Sequence, residues 1–148
     1  MPPVATLIAT KGNVDSGAIA FTTYCATCHQ VKGKGIAFGP DLSEIGTKLP
    51  KEALYTAILK PSAGISFGFD GYTFKLKNGT ELTGYIASQT EDDITIKMIG
   101  GVSEKHTKKE IVSKTAFEKS LMPEGLGEGI GASQLVNLVE YLSSLKKK

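Results

Sequence analysis

The sequence predicts a mostly α-helical fold of three to four helices, interrupted by a small inserted antiparallel β barrel-like module. Three observations predict it. Apolar residues recur at helical spacing near both ends of the chain, the middle switches to strict alternation, and the alternating segments are joined by short turns rich in Gly, Asn and Asp. At 148 residues, the chain has room for one ordinary domain with a small module inside it.

The first helix is expected from Asp15 and Ser16 as N-cap candidates, with Gly17, Phe21 and Tyr24 at i, i+4 and i+7. A second follows Pro50, carries Ala53, Leu54, Ala57 and Ile58 on one face, and stops before Pro61. The last is capped by Ser133 and presents Leu135, Leu138, Val139, Leu142 and Leu145 as a stripe bordered by Tyr141.

Between these helices, Tyr72, Phe74 and Leu76 alternate with Thr73, Lys75 and Lys77, and after Asn78-Gly79 the alternation resumes at Leu82 and Ile86. A two-residue turn would set apolar Leu76 opposite charged Glu81. A three-residue turn with Gly79 left-handed pairs Lys75 with Glu81, Phe74 with Leu82 and Thr73 with Thr83, so the bulged hairpin is expected. Ile94, Ile96 and Met98 form a third strand, Gly100-Gly101 turns the chain, Val102 to Thr107 returns, and Ile111-Val112 adds a short fifth strand. A single hairpin is only marginally stable, whereas four or five short strands can close a small barrel. The boundaries are 65–118 for the β module, with 1–64 and 119–148 forming the helical domain.

The chemistry concentrates in Cys25-Ala26-Thr27-Cys28-His29, which opens directly from the first helix. Two thiols three residues apart followed at once by histidine is the pattern that attaches one haem c covalently: each cysteine forms a thioether and the histidine becomes an iron ligand. A redox dithiol needs a strand before its CxxC, and here a helix precedes it. A structural zinc needs four converging ligands, and the cysteines and histidines are Cys25, Cys28, His29 and His106, two of them adjacent. A disulfide across two intervening residues closes too small a loop to stabilise much.

With His29 on one side of the iron, methionine suits the other side of an electron carrier, because a soft thioether favours ferrous iron. Met1 is terminal, and Met98 shares the buried face of a strand with Ile94 and Ile96. Met122 is the candidate that remains, in the irregular loop Ser120-Leu121-Met122-Pro123 before the last helix. His106 competes for the same role, but its neighbours Glu104, Lys105, Thr107 and Lys108 mark an exposed strand histidine.

These residues together resemble a class I c-type cytochrome: CxxCH after an N-terminal helix, Gly39-Pro40 downstream, and a methionine loop leading into a C-terminal helix. A narrower resemblance rests on Gly39-Pro40-Asp41-Leu42, Ile58-Leu59-Lys60-Pro61-Ser62-Ala63, Asn78-Gly79 through Leu82-Thr83-Gly84, and Ser120-Leu121-Met122-Pro123 with Gly125-Leu126. It is similar to the haem-binding domain of planctomycetes and verrucomicrobia, which carries a β insertion and often ends large exported proteins, among them predicted dehydrogenases. The resemblance implies a cytochrome c fold around one covalent haem c and its iron, with His29 and Met122 as metal ligands. It also implies Cys25, Cys28 and Pro40 as cofactor-binding residues, the Pro40 carbonyl accepting from the ring of His29. Gly17 and Phe21 would cross Leu138 and Tyr141. The strand pattern of the module is similar to Sm-like or SH3-like barrels.

The function expected is one-electron transfer between redox partner proteins, with no catalysis of its own, on a chain exported to the periplasm or beyond. Tyr24, Phe21, Ile36, Phe38, Leu42, Ile45, Leu54, Leu121 and Leu138 are candidates to keep water from the haem. One alternative is a haem enzyme or gas sensor with an open or displaceable sixth position. Another is a partner-docking module with the haem as electron relay to a dehydrogenase, using Lys105, Lys108, Lys109, Lys114 and Lys119, which outnumber Glu110 and Glu118.

Composition narrows the field. The net charge of +2 gives no footprint for nucleic acid, and no apolar run approaches the roughly 18 residues of a membrane span. The opening Met1-Pro2-Pro3-Val4 has no basic and apolar export signal, so the chain reads as a processed protein or a domain of a longer one. All 17 basic residues are lysine, so no guanidinium can clamp a haem propionate and lysine, tyrosine, hydroxyls or backbone amides must serve. The closing Lys146-Lys147-Lys148 suits a solvated helix end.

Overall fold

Asn13 opens the first long helix by accepting a hydrogen bond from the Ser16 amide (2.8 Å), so α2 spans Val14–Tyr24 in the computed structural model, which describes residues 1–147. The cap therefore lies ahead of the expected Asp15 and Ser16, and Asp15 instead sits in the first turn, where a carboxylate favours the helix dipole. Pro50 precedes α4 (Lys51–Leu59), and Pro61 begins a 3-10 turn beyond it. The last helix, α6 (Ala132–Ser144), starts after Gly131 with no side-chain cap, so Ser133 falls inside it.

Three short helices complete the six found among the described residues: α1 (Val4–Ala9), α3 (Ile45–Lys48) and α5 (Leu126–Ile130). The expectation of three to four missed them because four to six residues hold too few turns to show a period. Lys146 donates to the Gly46 carbonyl of α3 (2.7 Å), and both it and Lys147 are exposed, as expected of a solvated helix end; Lys148 lies outside the described residues.

Helices α2 and α6 cross at Gly17. A Cβ there would come within 1.9 Å of the Asn137 carbonyl oxygen, so only glycine allows this approach. Phe21 and Tyr141 then meet with ring centroids 5.9 Å apart. Around the crossing Leu135, Leu138 and Val139 are fully buried, each contributing about 1.5–3 kcal/mol through burial.

The middle of the chain forms five antiparallel strands: β1 (Tyr72–Leu76), β2 (Glu81–Gln89), β3 (Asp93–Met98), β4 (Val102–Thr107) and β5 (Ile111–Ala116). Lys75 pairs with Glu81, Phe74 with Leu82 and Thr73 with Thr83, the register of the bulged turn, and Gly79 is left-handed (φ +88°). The sheet order is β4-β3-β2-β1-β5. It does not close into the expected barrel: β4 and β5 are edges, and Lys105 and Lys114 place charge there. A sheet of this size also makes the chain more evenly α and β than the mostly α expectation. Phe74, Leu76, Leu82, Ile94 and Ile96 form its own apolar core, separate from that of the helices, with Met98 packed at its border.

Candidate functional site

Cys25 is the C-cap of α2, and the turn that follows is wound tightly enough for the Cys28 and His29 amides both to donate to the Cys25 carbonyl (3.0 and 2.9 Å). The chain then doubles back, with Ile36 and Phe38 donating to the Ala26 and Cys28 carbonyls. This return brings Gly39 and Pro40 against the ring of His29. The Nδ1–H of His29 donates to the Pro40 carbonyl (2.7 Å), which can only accept, so the tautomer is fixed and Nε2 keeps a free lone pair. A Cβ on Gly39 would lie 2.6 Å from Cε1 of that ring, so glycine is what lets the backbone brace it.

Burial decides the protonation of the site. It lowers the pKa of His29 against the opposing pull of the Pro40 hydrogen bond, which favours the neutral imidazole that a metal needs. Burial, with Cys28 nearby, pushes the Cys25 thiol up to about 11, the reverse of what activates a redox dithiol. Both cysteines are free.

Cys25, Cys28, His29, Pro40 and Met122 all line one cavity of about 260 Å³. Tyr24, Phe38, Leu42, Ile45, Leu54 and Leu121 share its wall as anticipated, whereas Phe21 and Leu138 pack in the helical core and Ile36 is 40 % exposed. His106 is elsewhere, on β4. Its Nδ1 faces Glu110 (3.0 Å) and its Nε2 faces Glu104 (3.1 Å), so it is more enclosed than an exposed strand residue.

Sequence reasoning missed the part of the wall that comes from the β module and the segment leading into it: Ile65, Ser66, Phe69 and Tyr85. Tyr85 stacks at an angle between Phe38 and Phe69, with centroids at 5.4 and 4.9 Å. A signal was present. Leu82, Gly84 and Ile86 occupy the module's core face of β2, and Tyr85 is the aromatic among Glu81, Thr83 and Ala87 on the opposite face, buried because that face meets the helical half.

Residues 14–89 match the family model described as cytochrome c. The chain belongs to the cytochrome c family. The match begins at the first residue of α2 and includes Cys25, Cys28, His29 and Pro40, while Met122 and α6 lie beyond it. No curated protein matches the chain. Members of this family bind covalent haem c with its iron and carry electrons to and from partner proteins. The cytochrome's own residues fit such a group: two free thiols, a neutral imidazole with its second nitrogen open, and apolar walls all meet at the cavity. Among the described residues no helix is long and apolar enough to cross a membrane.

Proposed function

We propose that this cytochrome is a one-electron carrier whose haem is attached through Cys25 and Cys28 and ligated by His29 and Met122. The observation that carries the reading is the meeting of a neutral, oriented imidazole and a thioether in one apolar cavity. Bound there, the haem supplies a ferric/ferrous couple. The chain's residues determine how that couple is poised: Pro40 holds the His29 tautomer, Met122 offers a soft donor that favours ferrous iron, and Phe38, Phe69 and Tyr85 exclude water. If His29 and Met122 both held the iron, no site on the metal would be left for a substrate, and the chain would carry electrons without catalysing a reaction.

The domain division proposed is 1–64 with 119–148 for the cytochrome domain and 65–118 for the β module, of the kind found in the planctomycete and verrucomicrobial domains. In this reading the module is a wall of the haem site as well as an insertion, since Phe69 and Tyr85 line the cavity. The chain is proposed to work outside the cytoplasm, beside redox proteins that include a dehydrogenase.

The test is the near-infrared spectrum of the exported, haem-loaded ferric protein. A weak band from thioether-ligated iron is expected in the parent and its loss in Met122→Ala. A parent spectrum without the band overturns the ligation and favours the open-site enzyme or sensor.

A further inference from the structure

Residues 117–125 run between β5 and α5 with no helix or strand ladder to hold them, yet Met122 must be aimed from this stretch. Two of its backbone amides are held by serine hydroxyls. The Ser120 N–H donates to Oγ of Ser62 (3.0 Å), and the Met122 N–H donates to Oγ of Ser120 (3.1 Å). Ser62 lies in the 3-10 turn Pro61–Ala63, the segment leading into the β module, whereas Ser120 lies just beyond the module. Alongside, the Phe117 N–H donates to the Gly71 carbonyl (2.9 Å), and the Leu121 side chain lies so close over Gly71 that a Cβ there would meet it at 2.9 Å. Ser120, Leu121, Met122 and Pro123 all line the cavity, as does Pro61.

We propose that Ser120, itself held by Ser62, is the positioning residue that aims Met122 into the haem cavity. The inference rests on Met122 being the iron ligand. A thioether is a neutral, weak donor, so how well Met122 would hold the iron depends on how far its backbone is already fixed. The two serines fix it by joining the segments on either side of the β module, one hydroxyl to the next backbone amide. Met122 is thereby registered against α4 and its 3-10 turn as well as against its own loop.

The test uses ferric, haem-loaded protein titrated with imidazole, a small ligand that competes with the thioether, alongside the near-infrared band and thermal melting. Ser120→Ala is expected to weaken the band and to tighten apparent imidazole binding roughly two- to tenfold, the size of one lost hydrogen bond. Ser62→Ala shifts it in the same direction by less, and Ser120→Thr, which keeps the oxygen, returns it to the parent value. Should Ser120→Ala fail to accumulate, Ser62→Ala and Ser120→Thr still give the comparison. The proposal is overturned if the parent shows the band and Met122→Ala loses it, yet the serine variants bind imidazole as the parent does while only their melting changes. A parent without the band instead overturns the ligation itself, and this proposal with it.

Discussion

Around Leu54, Ile58 and Leu142 the helical half builds a core that is also the wall of a cavity of about 260 Å³, whereas in the β module Phe74 and Ile96 are fully buried within a core of their own strands. The difference is one of completeness. The apolar side chains that line the cavity face a space in which a haem would sit, whereas those of the module's core face one another. Most of the cavity wall belongs to the helical half, with Phe69 and Tyr85 added from the β side, so a bound haem is expected to stabilise the helices more than the module.

Removing the attachment gives the largest expected effect. In Cys25→Ala/Cys28→Ala, hydrogen exchange read by mass spectrometry should show α2, α4 and α6 losing most of their protection while β1 to β3 keep theirs. Equal loss in both regions would mean that the two cores unfold as one unit, and the comparison would fail.

The reverse perturbation sharpens it. Phe74→Ala empties the centre of the module's core and is expected to cost about 3–5 kcal/mol, lowering protection in the strands first. The near-infrared band should persist until the module melts. If it disappears earlier, the wall formed by Phe69 and Tyr85 depends on the module's packing more closely than its separate core suggests.

The two regions also differed in how they could be read from sequence. Strand registers were legible because Lys75 opposite Glu81 and Phe74 opposite Leu82 satisfy charge and burial together, and a one-residue slip violates both. The turn after Cys28 was legible as chemistry, since the spacing of Cys25, Cys28 and His29 is itself the motif. Helices of four to six residues were not, because a stretch such as Ile45–Lys48 is too short for a period. The open sheet was hidden for a different reason: alternation fixes which side chains face inward but not whether β4 and β5 approach closely enough to bond. Tyr85 escaped because its face of β2 is covered by residues distant in sequence, such as Phe38, and only its aromatic character beside Glu81 and Thr83 hinted at that.

The smallest expected effect concerns the module's edge, where His106 stands between two carboxylates. Protonated, its ring can donate to Glu110 and Glu104 at once; neutral, it can donate to one of them. The hydrogen bond with Glu110 is the chief cause that raises the His106 pKa, and the same bond is the chief cause that lowers the pKa of Glu110. The histidine's contribution to stability is complete below its ordinary value near 6.5 and fades as pH rises through the raised one. That of Glu110 is complete above the ordinary carboxylate range and fades as pH falls through the lowered one. The clamp is therefore tightest at about pH 5 to 6. Lys105 pairs with Asp93 (3.7 Å), and of the charged groups on β4 and the turn after it, which also holds Lys108 and Lys109, it is Glu110 and Glu104 that bond to His106. The amides to watch are Lys108, which donates to the Asp92 carbonyl (2.7 Å), and Lys77, which donates to that of Glu110 (2.9 Å). Their exchange protection, corrected for the intrinsic rate, should fall a few-fold between about pH 6 and 8 and stay flat in His106→Gln. A slope that survives in His106→Gln would assign the pH response to another group and leave the module's edge indifferent to its histidine.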